Sequence, residues 1–174
     1  MKHHIWLLIS LHLLVTQKIS DVNSIIAKVK NVEQDESRMG LADLTGIKMT
    51  KYNKTMIVLS GKYKIFKKFE NLKINAQTFK KMGNGFIAMS MFTLKNQDYC
   101  GFLNDPKWQK IFFDKLFNHT DLPYNCNSLP GEYTISEYVP AIPENVPSGD
   151  YRMDLEYVMN DKIETKYRLF VAVI

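Results

Sequence analysis

The residues with the widest chemical repertoire are few in this chain, and their positions limit what it can do. There are two cysteines, Cys100 and Cys126, and four histidines, three of which (His3, His4 and His12) lie in the extreme N-terminal stretch. That stretch reads as a secretory signal. Met1-Lys2-His3-His4 is a short basic start, and Ile5 to Val15 is apolar except for Ser10 and His12. A run of about 11 residues suits a signal-peptide core and is too short to span a bilayer. Lys18 intrudes where small residues are preferred, so cleavage is expected loosely near Ser20, giving residues 1–20 as signal peptide and 21–174 as one domain. No later segment approaches the length of an apolar span, so no transmembrane segment is expected.

Cleavage leaves His119 as the remaining histidine, inside the glycosylation-type triplet Asn118-His119-Thr120. A nucleophilic triad built on it would place its one base beneath a bulky sugar. A multi-histidine zinc site has no ligands to draw on. Asp154 and Glu156 form a carboxylate pair, but they alternate with Tyr151, Met153, Leu155 and Tyr157, as the solvated side of a strand does. There is no Gly-rich phosphate loop and no Gly-x-Ser-x-Gly elbow. The expectation is a protein that is not an enzyme, with no catalytic residues, no metal and no cofactor.

In a secreted chain the two cysteines are best used as a disulfide, Cys100–Cys126. Closing a loop of that size stabilises by roughly 3 kcal/mol in the chain-entropy model. A second sequon, Asn53-Lys54-Thr55, accompanies the one at Asn118, and both fall at expected loops or strand ends. Without Lys2 and Lys18 the formal charge falls from +5 to +3. So mild an excess needs no nucleic-acid partner. Lys62, Lys64, Lys67, Lys68, Lys73, Lys80 and Lys81 cluster in sequence, yet much of the cluster alternates with apolar residues like the wet face of a strand.

The elements that must position these residues are mostly strands. Residues 21–40 are ambiguous: Ile25 to Val29 could start a strand, and Glu33 to Arg38 reads as a charged loop. Leu44 to Lys51, Thr55 to Phe66, Leu72 to Phe79, Phe86 to Leu94, Gly131 to Tyr138, Asp150 to Met159 and Ile163 to Ile174 read as strands separated by turn chemistry. Gly61 marks a candidate bulge. Phe86 to Leu94 is apolar on both faces, so it should be central or should line something besides an ordinary core. The proline-rich stretch 140–149 suits a crossing loop. Between the cysteines, Asn104 or Asp105 can cap a helix whose first turn holds Pro106. Trp108, Ile111, Phe112 and Leu116 form its apolar stripe, broadened by Phe113 and Phe117. The pattern predicts a mainly β, immunoglobulin-like two-sheet β-sandwich with one helix between the two cysteines.

The order Asp98-Tyr99-Cys100-Gly101-Phe102-Leu103, an aromatic-rich helix, Pro123-Tyr124-Asn125-Cys126, then Val146-Pro147-Ser148-Gly149-Asp150-Tyr151 resembles the insect CheB-like secreted family of unknown function. The resemblance covers roughly residues 85–160. One departure is that Pro123 and Tyr124 precede the second cysteine, where the family often has Cys-Pro-Tyr. That family is distantly similar to ML lipid-recognition proteins, including the ganglioside activator, whose sheets splay apart around acyl chains. The resemblance therefore implies an ML-like sandwich that carries or presents a lipid or lipid-like hydrophobic molecule in insect chemosensation.

The residues point the same way independently. The doubly apolar strand, the wide helix face and nine methionines suit an adaptable pocket. Met89, Met91, Phe92, Phe112, Phe113, Leu155 and Tyr157 are the expected pocket residues. The alternative is an extracellular interaction module with a solid core, which would modulate a membrane receptor or channel through an exposed patch.

Overall fold

The computed structural model describes residues 27–54, 56–143 and 145–174. The expected signal peptide, Ile25, Ile26 and Thr55 lie outside the described residues. Nine strands are described, β1 (Ala27–Met39), β2 (Ala42–Asp43), β3 (Ile47–Lys51), β4 (Ile57–Ile65), β5 (Lys73–Met82), β6 (Gly85–Asp98), β7 (Gly131–Tyr138), β8 (Gly149–Met159) and β9 (Lys162–Val173). They form two antiparallel sheets, as the alternation required. The larger has the order β1-β9-β8-β5-β6. In the smaller, β4 pairs with β2 and β3 along one side and with β7 along the other.

Alternation decides which side chains meet between the sheets. On β8, Tyr151, Met153, Leu155 and Tyr157 point inward, opposite Val171, Leu169, Tyr167 and Thr165 of β9. On the outer face Arg152, Asp154, Glu156, Lys166 and Arg168 form a ladder of ion pairs. Arg152 Nε lies 2.8 Å from Asp154 Oδ1, and Lys166 Nζ lies 2.8 Å from Glu156 Oε1. The carboxylate pair is thus held by cations. Most of the lysine cluster is also paired: Lys62 and Lys64 with Glu132, Lys67 with Glu164, Lys68 with Glu70 and Lys73 with Asp161. The ammonium of Lys80 sits over the Tyr151 ring.

Gly61 has φ +145°, and the β4–β7 register slips beside it, between Leu59 and Gly61. A Cβ there would overlap the carbonyl oxygen of Gly46, and one on Gly46 would overlap that of Lys62. Two backbones therefore cross at a distance that admits no side chain.

Two expectations are corrected. Glu33 to Arg38 falls within the 13-residue strand β1: Glu33 and Gln34 pair with Arg168 and Tyr167 of β9, and residues 35–38 bulge out before pairing resumes at Met39↔Thr165. It lies at the sheet edge, where one side of the strand remains in water and charged residues are tolerated. Of the two alternatives for the doubly apolar run, the central place is the one that fails: the run lies at an edge, in β6, where Phe92 and Leu94 border a space between the sheets. There the ladder is interrupted: Ala76 pairs with Leu94 but Thr78 pairs with Met89, so the single β5 residue Gln77 stands opposite four residues of β6, 90–93. Phe92 takes φ 54° within this bulge. The displaced carbonyls find side-chain donors, with Gln77 Nε2 donating to Met89 O at 2.8 Å and Thr93 Oγ1 to the same oxygen at 3.1 Å.

Candidate functional site: an apolar chamber between the sheets

Two apolar clusters hold the sheets together. One comprises Leu41, Ile65, Phe69, Leu72, Ile74, Tyr99, Leu103, Phe113 and Met159. The other comprises Val29, Leu59, Val146, Tyr151, Val171 and Val173. Bordered by members of both clusters lies a chamber of about 310 Å³, neither sealed nor a surface groove. Native cores normally leave only voids near the size of a water molecule. This space is of the size of a ligand pocket.

The helical segment between the cysteines forms one wall. It starts earlier than the sequence pattern suggested, at α1 (Tyr99–Asn104), where Asp98 Oδ2 accepts the Gly101 N–H at 2.7 Å. Asp105 breaks the axis and caps the next piece, accepting the Lys107 N–H at 2.9 Å, with Pro106 in the first turn. From there α2 (Pro106–Trp108), a π-wound turn (Gln109–Phe113) and α3 (Asp114–Phe117) follow without interruption. The π turn carries the N–H of Asp114 to the carbonyl of Gln109. Such an inserted residue shifts the face that follows it. As a result Phe112 and Phe113 both reach the chamber, with Trp108, Leu116 and Phe117, whereas Ile111 does not. The rings interlock: Phe112 stacks on Trp108 at 5.5 Å and 15°, and Phe113 meets Phe102 edge-on at 5.0 Å.

The Cys100–Cys126 disulfide closes the loop that carries this wall. Tyr124 O–H donates to the Leu103 carbonyl at 2.6 Å, tying the returning chain to α1. Asn53 and Asn118, the sequon asparagines, are both exposed. His119 Nδ1 lies 2.7 Å from the Ser136 carbonyl, and Thr120 is held by Tyr63 and Thr134.

Of the seven residues singled out for a pocket, Phe92, Phe112, Phe113, Leu155 and Tyr157 border the chamber. Met89 and Met91 do not. The β6 bulge changes the strand's phase between them and Phe92, and Met91 packs against the second cluster instead. The bulge brings Phe92 to Trp108, at 5.8 Å, and to Phe112, at 6.2 Å. Sequence reasoning missed Tyr63, Tyr99, Tyr138 and Tyr167, which also line the space. The inward phase of β4 and β9 was the signal that could have found Tyr63 and Tyr167.

The lining has one consistent electrostatic character. Among the described residues it includes no Asp, Glu, Lys, Arg or His. Burial pushes the hydroxyls of Tyr63 and Tyr138 up to about 12, and burial likewise raises those of Tyr99, Tyr157 and Tyr167. A raised phenol contributes stability that is complete below pH 10 and disappears as pH rises through the folded value. These five tyrosines are therefore expected to stay neutral past pH 10 and to ionise only as the fold opens. A pH titration of tyrosinate absorbance beside circular dichroism checks this. Ionisation of all tyrosines near pH 10 with the fold intact would contradict the burial.

Two antiparallel sheets around an apolar chamber, with a disulfide-held helical wall, define a hollow β-sandwich. Residues 74–153 match a family model described as a protein of unknown function (DUF1091). The matched stretch runs from β5 through the helical wall into β8, so it covers the parts that build one side of the chamber. A search of curated proteins found no match. Among the described residues no helix is long and apolar enough to cross a membrane, and no group of three or more His, Cys, Asp or Glu side chains could hold a metal ion.

Proposed function

We propose that this protein is a secreted, non-catalytic carrier that holds a lipid or lipid-like hydrophobic molecule between its sheets and presents it in insect chemosensation. The observation that carries the reading is the chamber of about 310 Å³ walled by apolar and aromatic side chains. An unfilled apolar space of that size forgoes the contacts that a packed core would make, a cost relieved when a ligand fills it. The interlocked helical wall supplies an adjustable side, and the disulfide keeps it attached while it moves. The resemblance to CheB-like and ML lipid-recognition proteins agrees with this reading. The match to a family of unknown function neither adds to it nor opposes it. A solid-core interaction module would have no use for the chamber.

The test begins with protein secreted from insect cells. Native mass spectrometry and solvent extraction should recover a bound apolar compound. The delipidated protein should then take up the neutral fluorophore N-phenyl-1-naphthylamine saturably and with unit stoichiometry. A protein that leaves the cells empty and shows no saturable uptake would overturn the proposal.

A further inference from the structure

We infer that the chamber selects uncharged lipids bearing a hydrogen-bonding oxygen, such as long-chain alcohols and esters, over ionised amphiphiles of the same length. The inference rests on the carrier reading and specifies the ligand class of that same site.

The argument starts from hydroxyl protons. Thr120 Oγ1 donates to the Thr134 carbonyl at 2.8 Å, which uses its one proton. The Tyr63 hydroxyl, 2.8 Å from Thr120 Oγ1, must therefore be the donor of that pair. Its oxygen keeps free acceptor capacity. Tyr157 and Tyr167 hydroxyls lie 3.5 Å apart, so one contact leaves at least one of their two protons without an acceptor. Tyr99 is only 7% exposed and borders the chamber, which places its phenol ring at the ligand space. Tyr63, Tyr99, Tyr157 and Tyr167 all border the chamber. Its otherwise apolar wall thus carries a small cluster of neutral donors and acceptors, of which Tyr157 and Tyr167 are within 3.5 Å of each other.

Such a cluster suits a carbonyl, ester or hydroxyl oxygen at one end of a hydrocarbon chain. Buried donors left unmatched are costly, and one ligand oxygen can satisfy two of them. An ionised carboxylate could accept the same bonds. It would, however, leave water for a wall without any cation among the described residues, and the loss of hydration would go uncompensated. Burial also keeps the phenols neutral, so the wall has no charge of its own to offer a cationic headgroup.

The test uses the delipidated full chain at pH 8 and displacement of N-phenyl-1-naphthylamine by four twelve-carbon probes: dodecanol, methyl dodecanoate, dodecanoate and dodecane. Dodecanol and methyl dodecanoate should displace the fluorophore at concentrations at least about tenfold lower than dodecanoate. In Tyr99→Phe/Tyr157→Phe, the affinities for alcohol and ester should fall about tenfold relative to dodecane. The single variant Tyr99→Phe, should the double variant not fold, should show a smaller loss of the same kind. Equal binding of dodecanoate and dodecanol would overturn the inference, because the headgroup would then sit outside the chamber. So would a variant whose preference for the alcohol over dodecane is unchanged. Both results leave the carrier reading standing, whereas failure of the fluorophore and every probe to bind would remove both proposals.

Discussion

Phenylalanine in place of Ala76 is expected to raise thermal stability and to abolish capture of apolar ligands. Ala76 lies on β5 between Leu155 of β8 and Leu94 of β6, is 5% exposed, and borders the chamber. In a filled core, an added phenyl ring forces neighbours off their rotamers and costs about 1–3 kcal/mol. Here the ring enters empty space and removes its own apolar surface from water, a gain of about 1–2 kcal/mol. For a chain of this size each kcal/mol corresponds to about 2–4 °C in Tm. The same ring would fill part of the chamber that Ala76 borders, so fluorophore affinity should drop by at least about a hundredfold. A thermal scan and a titration of the one variant read both effects. A lowered Tm with unchanged uptake would mean that the core is solid at Ala76 and that the ligand binds elsewhere.

The second large effect belongs to the disulfide. Cys100→Ser/Cys126→Ser frees a loop with a sequence separation of 26, a loss of roughly 3–4 kcal/mol in the chain-entropy model. The corresponding fall in Tm is about 10 °C. The damage should be local before it is global. The loop carries Phe102, Trp108, Phe112 and Phe113, whose ring contacts form the wall, and its far end would be left to weaker ties to α1, chiefly the hydrogen bond from Tyr124 to Leu103. Ligand dissociation should therefore quicken at temperatures where the sheets remain intact. Stopped-flow release of the fluorophore, compared between the native protein and the double variant, measures it. Identical release rates and a Tm within about 2 °C would show that the wall is held by packing alone.

The sheets were legible in the sequence wherever alternation was clean. Tyr151 to Tyr157 and Tyr167 to Val173 face inward in the phase their pattern dictates, and Gly131–Tyr138 has the boundaries that its pattern suggested. The helical wall was legible through Pro106 and the aromatic stripe, but its π turn was not, because nothing in Gln109-Lys110-Ile111-Phe112-Phe113 marks an inserted residue. The same is true of β6. No glycine or proline interrupts Phe86 to Asp98, so the bulge that carries Phe92 inward and leaves Met89 and Met91 out had no local signal. What accompanies it is tertiary, the ring contacts of Phe92 with Trp108 and Phe112 from a distant part of the chain. β1 was obscured for the opposite reason: its charged run reads as a loop, and only Glu33 and Gln34 of that run find partners on β9 before the strand bulges and re-pairs at Met39. The chamber itself is a property of how two sheets fail to close. Periodicity reveals which side chains face inward, not the gap between them.

The two outermost strands of the larger sheet bear on how such a molecule survives in company. A protein with a hollow centre opens more readily than one with a filled core, and opening exposes unpaired strand edges to neighbouring copies. β1 carries the exposed charges Glu33, Asp35, Glu36 and Arg38 and loses its register after Gln34, and β6 is broken by its bulge. Neither edge offers another chain a straight, uncharged template for strand addition. The irregularities at the rim thus act as a guard against aggregation, leaving a sandwich with an internal chamber less able to recruit its own kind.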